Sequence, residues 1–262
     1  MRGPVSRVVS LAPNVTEIFF ALDSGSHIVG VSRYDDYPAE VSRLPRVGGI
    51  IDPSFEAIVS LRPDAVCGAQ GPVPRAVLDR LAQLGVQIVF PPFESLRDIR
   101  AGVAILGHLV RAEANVATVN AEIVRRVERV QQAVRGRAAP SVLAVFGLRP
   151  ISVAGRGSFV DELINLAGGR NASSSASRWP TIPLEAVLAM APQVVLDFTA
   201  HDQSTRLSDA WAEYRTIPAV RDGRVVRLAD PVMLRPGPRV GHALEILAET
   251  IHPDAFTAVA MA

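Results

Sequence analysis

The sequence predicts an α/β protein of two lobes with mostly parallel sheets, joined by one long α-helix. Short runs of β-branched residues alternate with helical patterns in both halves of the chain, and such alternation is typical of parallel sheets covered by helices on both faces. A central stretch has the periodicity of one long helix, and a helix–proline–strand unit occurs twice. With 262 residues, the chain is long enough for two lobes that each bury a core.

The first half reads as strands and helices in turn. A strand is predicted at RVVSL (7–11), and a helix follows in NVTEIFFALDSG, where Asn14 is the expected N-cap and Glu17 completes a capping box. The next strand is HIVGVS, and the helix after it begins near Pro53 and ends before Pro63. The remaining segments are the strand DAVCGA, the helix PRAVLDRLAQLG, the strand VQIVFP and the helix SLRDIRAGVAILGHLV.

Residues 112–137 are predicted to form the long helix. The stretch has no proline and no glycine before Gly136, and aliphatic residues recur every three or four positions. These are Val116, Val119, Ile123, Val127, Val130 and Val134. Such a helix would be about 36 Å long and would connect two lobes as a rigid rod. The predicted domains are therefore an N-terminal lobe at 1–111, the linking backbone helix at 112–137 and a C-terminal lobe at 138–262, which begins with the strand SVLAVFG.

The repeated unit relates the two halves to each other. FEAIVSLRPDAV in the first half matches LEAVLAMAPQVV in the second, with the apolar, small and proline positions in register. Glu56 and Glu185 occupy the same place in the two copies. Two similar α/β lobes explain this match most simply, although two short units of this kind can also resemble each other by chance.

Composition excludes several classes of protein. The net charge of +1 gives no indication of nucleic-acid binding. All 27 basic residues are arginine, so charge pairing must use guanidinium groups. The single cysteine, Cys67, rules out a disulfide framework within the chain, and its apolar surroundings predict a small buried hydrophobe at the end of a strand.

The chain also lacks the patterns that place a protein in or across a membrane. No apolar run reaches the 18 residues of a spanning helix. The start, MRGPVSRVVSLAP, has no basic segment followed by an apolar one and a cleavage site. We therefore expect either a protein that stays inside the cell or an export segment upstream of Met1.

No catalytic or metal-binding pattern emerges. The five histidines fall in different elements and form no metal-binding pair, so we expect no metal site. AGRGSF lacks the spacing of a phosphate-binding loop and is interpreted as a turn with Ser158 as N-cap. We therefore expect no enzyme, and the alternative, a chelatase or hydrolase, would require a base such as His201 or Asp230.

Aromatic and charged residues cluster instead in loops after predicted strands. SRYDDYP contributes Tyr34 and Tyr37, and SRWP contributes Arg178 and Trp179. LADPVMLRPGPR contributes Asp230, Arg235 and Arg239. Ligands of open α/β sheets bind at the carboxyl ends of the strands, so these loops would line one cleft between the lobes. Aromatic faces with a few charges suit a large, flat, partly polar ligand. The alternatives are aromatic side chains that pack on their own lobe and a solvated Asp230–Arg235 pair.

Several of these segments resemble a known family. RVVSLAPNVTEIFFAL, IVGVSRYDDYP, FEAIVSLRPDAV, LAQLGVQIV, SRWPTIPLEAVLAMAPQVVL and IPAVRDGRVVRL occur in the order found in the helical-backbone (class III) periplasmic substrate-binding proteins of ABC importers. The similarity covers nearly the whole chain, and the cobalamin-binding members are the most similar. The resemblance implies two Rossmann-like lobes on one long helix and a metal chelate as ligand: cobalamin or another corrinoid, a ferric siderophore or haem.

The resemblance also implies roles for individual residues. The ligand-binding set is Tyr34, Trp179, Asp230, Arg235, Pro13 and Asn14. Glu56 and Glu185 correspond to the two carboxylates that dock on arginines of the permease dimer, one from each lobe. No intrinsic cofactor is implied, and the protein is expected to be a monomer in the periplasm or at the cell surface.

Two departures leave the ligand open. Cobalamin binders carry tryptophans where this chain has CGAQGPV and VGGIIDP. Arg149 in FGLRP offers an additional cationic contact for a ligand with carboxylates or phosphates. Without an export segment in this chain, an intracellular relative of the family, such as a cytoplasmic corrinoid carrier or sensor, remains an alternative.

Overall fold

The structure, a computed structural model, describes residues 5–71, 73–199 and 207–256. Its contacts divide the chain into two compact units. The first unit comprises Met1–Ile123 together with Arg235–Arg239, and the second comprises Val124–Leu234 and Val240–Ala262. A short segment from late in the chain thus folds with the first unit. The domain boundaries given above remain a prediction.

The first unit contains a four-stranded parallel sheet. Its strands are β1 (Val8–Ser10), β2 (Ile28–Val31), β3 (Ala65–Cys67) and β4 (Gln87–Val89), in the order β2-β1-β3-β4. The helices are α1 (Pro13–Ala21), α2 (Phe55–Ser60), α3 (Arg75–Gln83) and α4 (Leu96–Leu109). Parallel strands place all four carboxyl ends at one edge of the sheet, where α1 begins with Pro13 and Asn14 after β1 and where the loop carrying Tyr34 follows β2.

The second unit contains a mixed six-stranded sheet. Its strands are β5 (Ser141–Leu148), β6 (Ile151–Val153), β7 (Arg170–Asn171), β8 (Thr181–Ile182), β9 (Val194–Asp197) and β10 (Val225–Arg227). The order is β10-β9-β5-β6-β8, with β7 paired to β5; β10, β9, β5 and β7 run parallel, whereas β6 and β8 are antiparallel. The helices are α6 (Phe159–Leu166), α7 (Leu184–Met190), α8 (Leu207–Ala210), α9 (Pro218–Arg221), α10 (Val240–Ile251) and α11 (Pro253–Phe256).

The predicted long helix is α5 (Glu113–Val134), and it contributes residues to both units. Four of its aliphatic residues are buried: Ile123, Val127, Val130 and Val134. The helix ends before Gly136, which has a φ of 75° that favours glycine. No helix within the described parts of the chain is both long and apolar enough to cross a membrane.

Two helix N-caps were predicted from the sequence, one correctly and one wrongly. Ser158 caps α6 by accepting a hydrogen bond from the Asp161 N–H at 3.1 Å, as predicted. The predicted capping box of Asn14 and Glu17 is wrong, because Pro13 is the first residue of α1 and Ala12 is the N-cap, without a side-chain bond. Proline suits this first position since its missing N–H would have no partner there. Asn14 and Glu17 are therefore available for other contacts.

Cys67 is a fully buried thiol at the end of β3, as predicted. Burial among apolar neighbours raises its pKa well above the ordinary value. The thiol is therefore protonated at neutral pH and unreactive.

Candidate functional site

Tyr34 is the most exposed aromatic side chain at the carboxyl edge of the first sheet. It follows β2, and 55% of the residue is accessible. A Cβ atom on Gly49 would lie 3.0 Å from Tyr34 Cε2, so this glycine allows the backbone of the next loop to approach the ring closely. The Arg33 guanidinium lies 6.0 Å from the ring centre and binds Asp52, whose carboxylate also accepts the Gly49 N–H at 3.2 Å.

Two buried residues, Ser32 and Asp35, hold the loop that carries Tyr34. Ser32 donates a hydrogen bond to the Asp35 carboxylate and accepts one from the Tyr34 N–H at 3.2 Å. Arg46 donates to the carbonyl oxygens of Ser32 and Asp35 at 2.8 and 2.7 Å. Burial raises the pKa of Asp35 above its ordinary value, against the opposing effect of the bond from Ser32. These contacts fix the backbone on both sides of Tyr34.

Four charged residues form a second anchor, the arginine–carboxylate network of Glu17, Asp36, Arg235 and Arg239. Arg239 holds Glu17 with two bonds, from Nε at 2.8 Å and from Nη2 at 2.6 Å. Arg235 bonds to Glu17 at 3.2 Å and holds both oxygens of Asp36. The side chain of Glu17 is only 1% exposed. A carboxylate buried to this degree requires such partners.

The hydrogen bonds of the network shift the pKa values of Asp36, Arg235 and Arg239. The hydrogen bonds from Arg235 lower the pKa of Asp36 below its ordinary value. In return, Asp36 raises the pKa of Arg235, and Glu17 raises that of Arg239. The Arg239 guanidinium also lies 3.9 Å from the ring centre of Tyr37. Asn14 completes the attachment of the late segment by donating to the Pro236 carbonyl oxygen at 3.0 Å.

The alternative interpretation of Asp230 and Arg235 as a solvated pair is wrong, because the two side chains have different partners. Arg235 binds Glu17 and Asp36. Asp230 is exposed and accepts a bond from the Val232 N–H at 2.9 Å, at the start of the 3₁₀ helix Pro231–Leu234. Asp230 thus has a local partner and Arg235 has partners far away in the chain, and the sequence spacing revealed neither.

A groove of about 580 Å³ also lies on the first unit. It is lined by Glu17, Phe20, Ala21, Asp23, Tyr37, Pro38, Glu40, Thr118, Val119, Glu122, Pro238 and Arg239. The lining includes Tyr37, which the sequence analysis placed with Tyr34 in the loop SRYDDYP, but not Pro13, Asn14, Tyr34 or Arg235.

In the second unit, Trp179 belongs to an aromatic cluster with Phe146 and Phe198. The Trp179 ring meets Phe146 edge to face, with centres 5.1 Å apart and planes at 89°. Phe146 stacks on Phe198, with centres 5.0 Å apart and planes at 7°. Phe146 lies near the end of β5 and Phe198 directly follows β9, so the cluster is at the carboxyl edge of the parallel strands. Trp179 thus packs on its own unit, yet 53% of the residue remains exposed.

The aromatic contacts of Phe146 and Phe198 were not predicted from the sequence. A signal existed, since each is an aromatic residue at the end of a buried apolar run, in VLAVF and VVLDF. The other tryptophan, Trp211, is buried in the core of the second unit. Arg149 is exposed in the turn between β5 and β6.

The repeated units are present as predicted, as α2 followed by β3 and as α7 followed by β9. Glu56 and Glu185 lie in the first turns of α2 and α7, and both are exposed. Within residues 5–71, 73–199 and 207–256, neither carboxylate forms an ion pair. Each unit therefore presents one carboxylate at an equivalent position.

Among the residues that the structure describes, no group of three or more His, Cys, Asp or Glu side chains is placed to hold a metal ion. Of the two side chains given as candidate bases, Asp230 accepts a hydrogen bond from the Val232 N–H at 2.9 Å, and His201 lies outside the described residues.

Residues 8–232 match the sequence profile of a family described as periplasmic binding protein. The chain belongs to this family. Among curated relatives, the vitamin B12-binding protein of Pectobacterium carotovorum is 27% identical over 237 residues, which are 89% of this chain and 84% of that protein. The names of such curated relatives describe ligand binding and transport.

Solved structures of the family share this fold. The periplasmic haem-binding protein RhuT from Roseiflexus sp. RS-1 has a TM-score of 0.84 and 29% identity, covering 97% of this chain and 100% of that one. The periplasmic vitamin B12-binding protein BtuF of Vibrio cholerae has a TM-score of 0.83 and 26% identity, covering 96% and 98%. The class III architecture expected from the resemblance is thereby confirmed.

Proposed function

We propose that this chain is the substrate-binding component of an ABC importer and that it binds cobalamin or a related corrinoid. The observation that carries the proposal is Trp179, a half-exposed tryptophan held at the carboxyl edge of the second sheet. Stacking on a large apolar ligand face is the use to which such a side chain is best suited. The name of the Pectobacterium relative supports vitamin B12 as the first ligand to test.

We propose further ligand contacts from the residues that the family resemblance implies. Tyr34 would provide an aromatic face of the first unit, and Pro13 and Asn14 would provide the backbone turn at the start of α1. Asp230 and Arg235 add polar contacts. Arg235 already uses both terminal nitrogens on carboxylates, so we expect it to contribute least to ligand affinity.

Titration with cyanocobalamin, cobinamide, haemin and a ferric hydroxamate tests the proposal directly. We expect a corrinoid to bind with a dissociation constant below about 10 μM, measured by calorimetry and by absorbance. Trp179→Ala should weaken binding by about 10- to 100-fold, because it removes a stacking face worth about 1–3 kcal/mol. Leu84→Ala is the matched control, since Leu84 is equally exposed beyond the end of α3. Failure of every ligand to bind below this limit would contradict the proposal.

Haem is the second candidate, because the haem-binding RhuT is as similar to this chain as the vitamin B12 binders. The structure adds a reason, since tyrosine oxygen is a known axial ligand of haem iron and Tyr34 presents its phenol to solvent. Haem ligation through Tyr34 predicts a shifted Soret band that Tyr34→Phe removes. A corrinoid, in contrast, should bind Tyr34→Phe with little loss, because the ring is retained.

We also propose that Glu56 and Glu185 dock a monomer of this protein on its permease dimer, outside the cytoplasmic membrane. Both are exposed and occupy equivalent helix starts in the two units. Glu56→Arg with Glu185→Arg should abolish ligand-dependent stimulation of the permease ATPase and leave ligand affinity unchanged. Glu249→Arg, at an exposed position of the otherwise largely buried α10, is the control. If affinity fell instead, the two carboxylates would belong to the ligand site, and a cytoplasmic carrier without a permease would become the better proposal.

A further inference from the structure

Backbone hydrogen bonds join the loop that carries Trp179 to the end of β6 and to the residues that follow it. The Val153 N–H donates to the Pro180 carbonyl oxygen at 3.1 Å, and the Gly155 N–H donates to that of Arg178 at 2.9 Å. The Arg156 N–H donates to the carbonyl oxygen of Ser175 at 3.0 Å. These three bonds bracket Trp179 on both sides. They use only backbone atoms, so the loop sequence does not reveal them.

Gly155 is the residue that allows this attachment. A Cβ atom at this position would lie 1.8 Å from the Ser177 carbonyl oxygen and 3.1 Å from Pro180 Cδ. The first distance is far below any tolerated contact, and the atom it involves is backbone that cannot rotate away. Gly155 has no positive φ, so close approach, and not backbone conformation, requires glycine here.

The consequence is a tryptophan whose backbone is fixed while much of its ring stays accessible. Phe146 supports one side of the ring through the edge-to-face contact. Over half of the residue, 53%, remains accessible to solvent. A side chain held in this way need not be ordered when a ligand arrives, and preorganisation of this kind raises affinity.

We propose that Gly155 is a positioning residue, which makes Trp179 a preformed stacking surface for a flat apolar ligand face. This inference rests on the function proposed above, because it takes Trp179 as the ligand contact. It also gives a role to the first glycine of AGRGSF, which has no phosphate-binding spacing. Gly155 touches the Trp179 loop and acts on the ligand only through it.

Fluorescence of Trp179 tests the proposal without any ligand. The chain has two tryptophans, so Trp211→Phe leaves Trp179 as the only one. In that background, Gly155→Ala should lower the steady-state anisotropy of Trp179 and increase its quenching by acrylamide, because the loop must move away. Gly157→Ala is the matched control. Its φ of 73° makes the substitution strained, but a Cβ there meets nothing within 4 Å, so it should destabilise the protein and leave both signals unchanged.

The ligand measurement follows with cyanocobalamin and haemin as probes. Whichever of them binds should bind Gly155→Ala roughly tenfold more weakly and Gly157→Ala with wild-type affinity. A folded Gly155→Ala protein with unchanged anisotropy and unchanged affinity would overturn the positioning role. If neither probe binds the wild type but the fluorescence changes as expected, the loop attachment stands, and the proposed ligand contact fails.

Hydrogen exchange of the wild type supplies a test that does not depend on a variant folding. The amides of Gly155 and Arg156 should be protected without ligand, and ligand should change their protection by less than about twofold. Amides that exchange freely in the ligand-free protein and become protected only on binding would show that the surface forms with the ligand. That result would overturn the proposal.

Discussion

The two units hold their exposed aromatic residue by different physical means. In the first unit, the loop with Tyr34 is held by charged and polar side chains: Arg46 and Ser32 bind the loop itself, and Asp36 joins it to Arg235, which also binds the buried Glu17 of α1. In the second unit, Trp179 rests on stacked phenylalanines and on backbone hydrogen bonds. The difference shows that similar α/β frameworks can present similar side chains with unrelated supports.

The supports also differ in how far along the chain they reach. Glu17 is 218 residues from Arg235 and 222 from Arg239. Paired guanidinium and carboxylate groups give directional bonds that can fix one short segment in one register. The aromatic cluster joins strands that are already neighbours in a sheet, so packing area is sufficient there.

Removal of the buried carboxylate should produce the largest effect. Glu17→Gln should lower the free energy of unfolding by about 3–5 kcal/mol, because it leaves two guanidinium groups without their buried partner. Chemical denaturation measures the loss. Glu40→Gln, at an exposed carboxylate of the same unit, should stay within about 0.5 kcal/mol of the wild type. An equal, small effect of both changes would mean that the network does not support the first unit.

A smaller loss should follow from weakening the aromatic support. Phe146→Leu should lower the free energy of unfolding by about 1–2 kcal/mol, since it keeps an apolar side chain but removes two ring contacts. In the Trp211→Phe background it should also shift the emission of Trp179. Leu148→Ala is the control. Leu148 is two residues further along β5, so this change removes apolar area and keeps the Phe146 ring that contacts Trp179. Unchanged Trp179 emission in Phe146→Leu would separate the tryptophan from the cluster.

Local patterns were sufficient to predict most of the framework. Runs such as RVVSL and DAVCGA became buried strands, and the valine spacing of α5 identified the long helix. These predictions succeeded because periodicity and chain-breaking residues act within a few positions. Ser158 is another case, since an N-cap involves only the next helical turn.

The predictions failed where contacts join distant segments. Glu17 stands three residues after Asn14 and so imitates a capping box, but its partners lie near the other end of the chain. The mostly parallel sheets were predicted correctly, but the short antiparallel strands β6 and β8 were not predicted; β6 pairs with β5 across the turn at Arg149, and β8 reaches β6 only after the intervening α6. The need for glycine at Gly155 depends on a carbonyl oxygen of Ser177, which no spacing rule anticipates.

The smallest expected effect on stability concerns two adjacent aspartates, Asp35 and Asp36. Burial dominates the pKa of the first, and pairing with arginine dominates the pKa of the second. Burial raises the pKa of Asp35, and the bonds from Arg235 lower that of Asp36, both from an ordinary 3.8. Carboxyl carbon shifts followed by NMR against pH should therefore show Asp36 titrating below 3.8 and Asp35 above it.

The same two shifts predict opposite contributions to stability. Asp36 stabilises the native state above its unfolded pKa, and this contribution is lost as the pH falls through its lower native value. Asp35 binds its proton more tightly in the native state, so its contribution is lost as the pH rises through its raised native value. Because the Asp36 side chain is 56% exposed, Asp36→Asn should change the free energy of unfolding by less than about 1 kcal/mol and flatten its pH dependence only below about pH 4. If the pH dependence of stability flattened above about pH 4 in Asp36→Asn, the assignment of pairing to Asp36 would be wrong. If it did not flatten above about pH 4 in Asp35→Asn, the assignment of burial to Asp35 would be wrong.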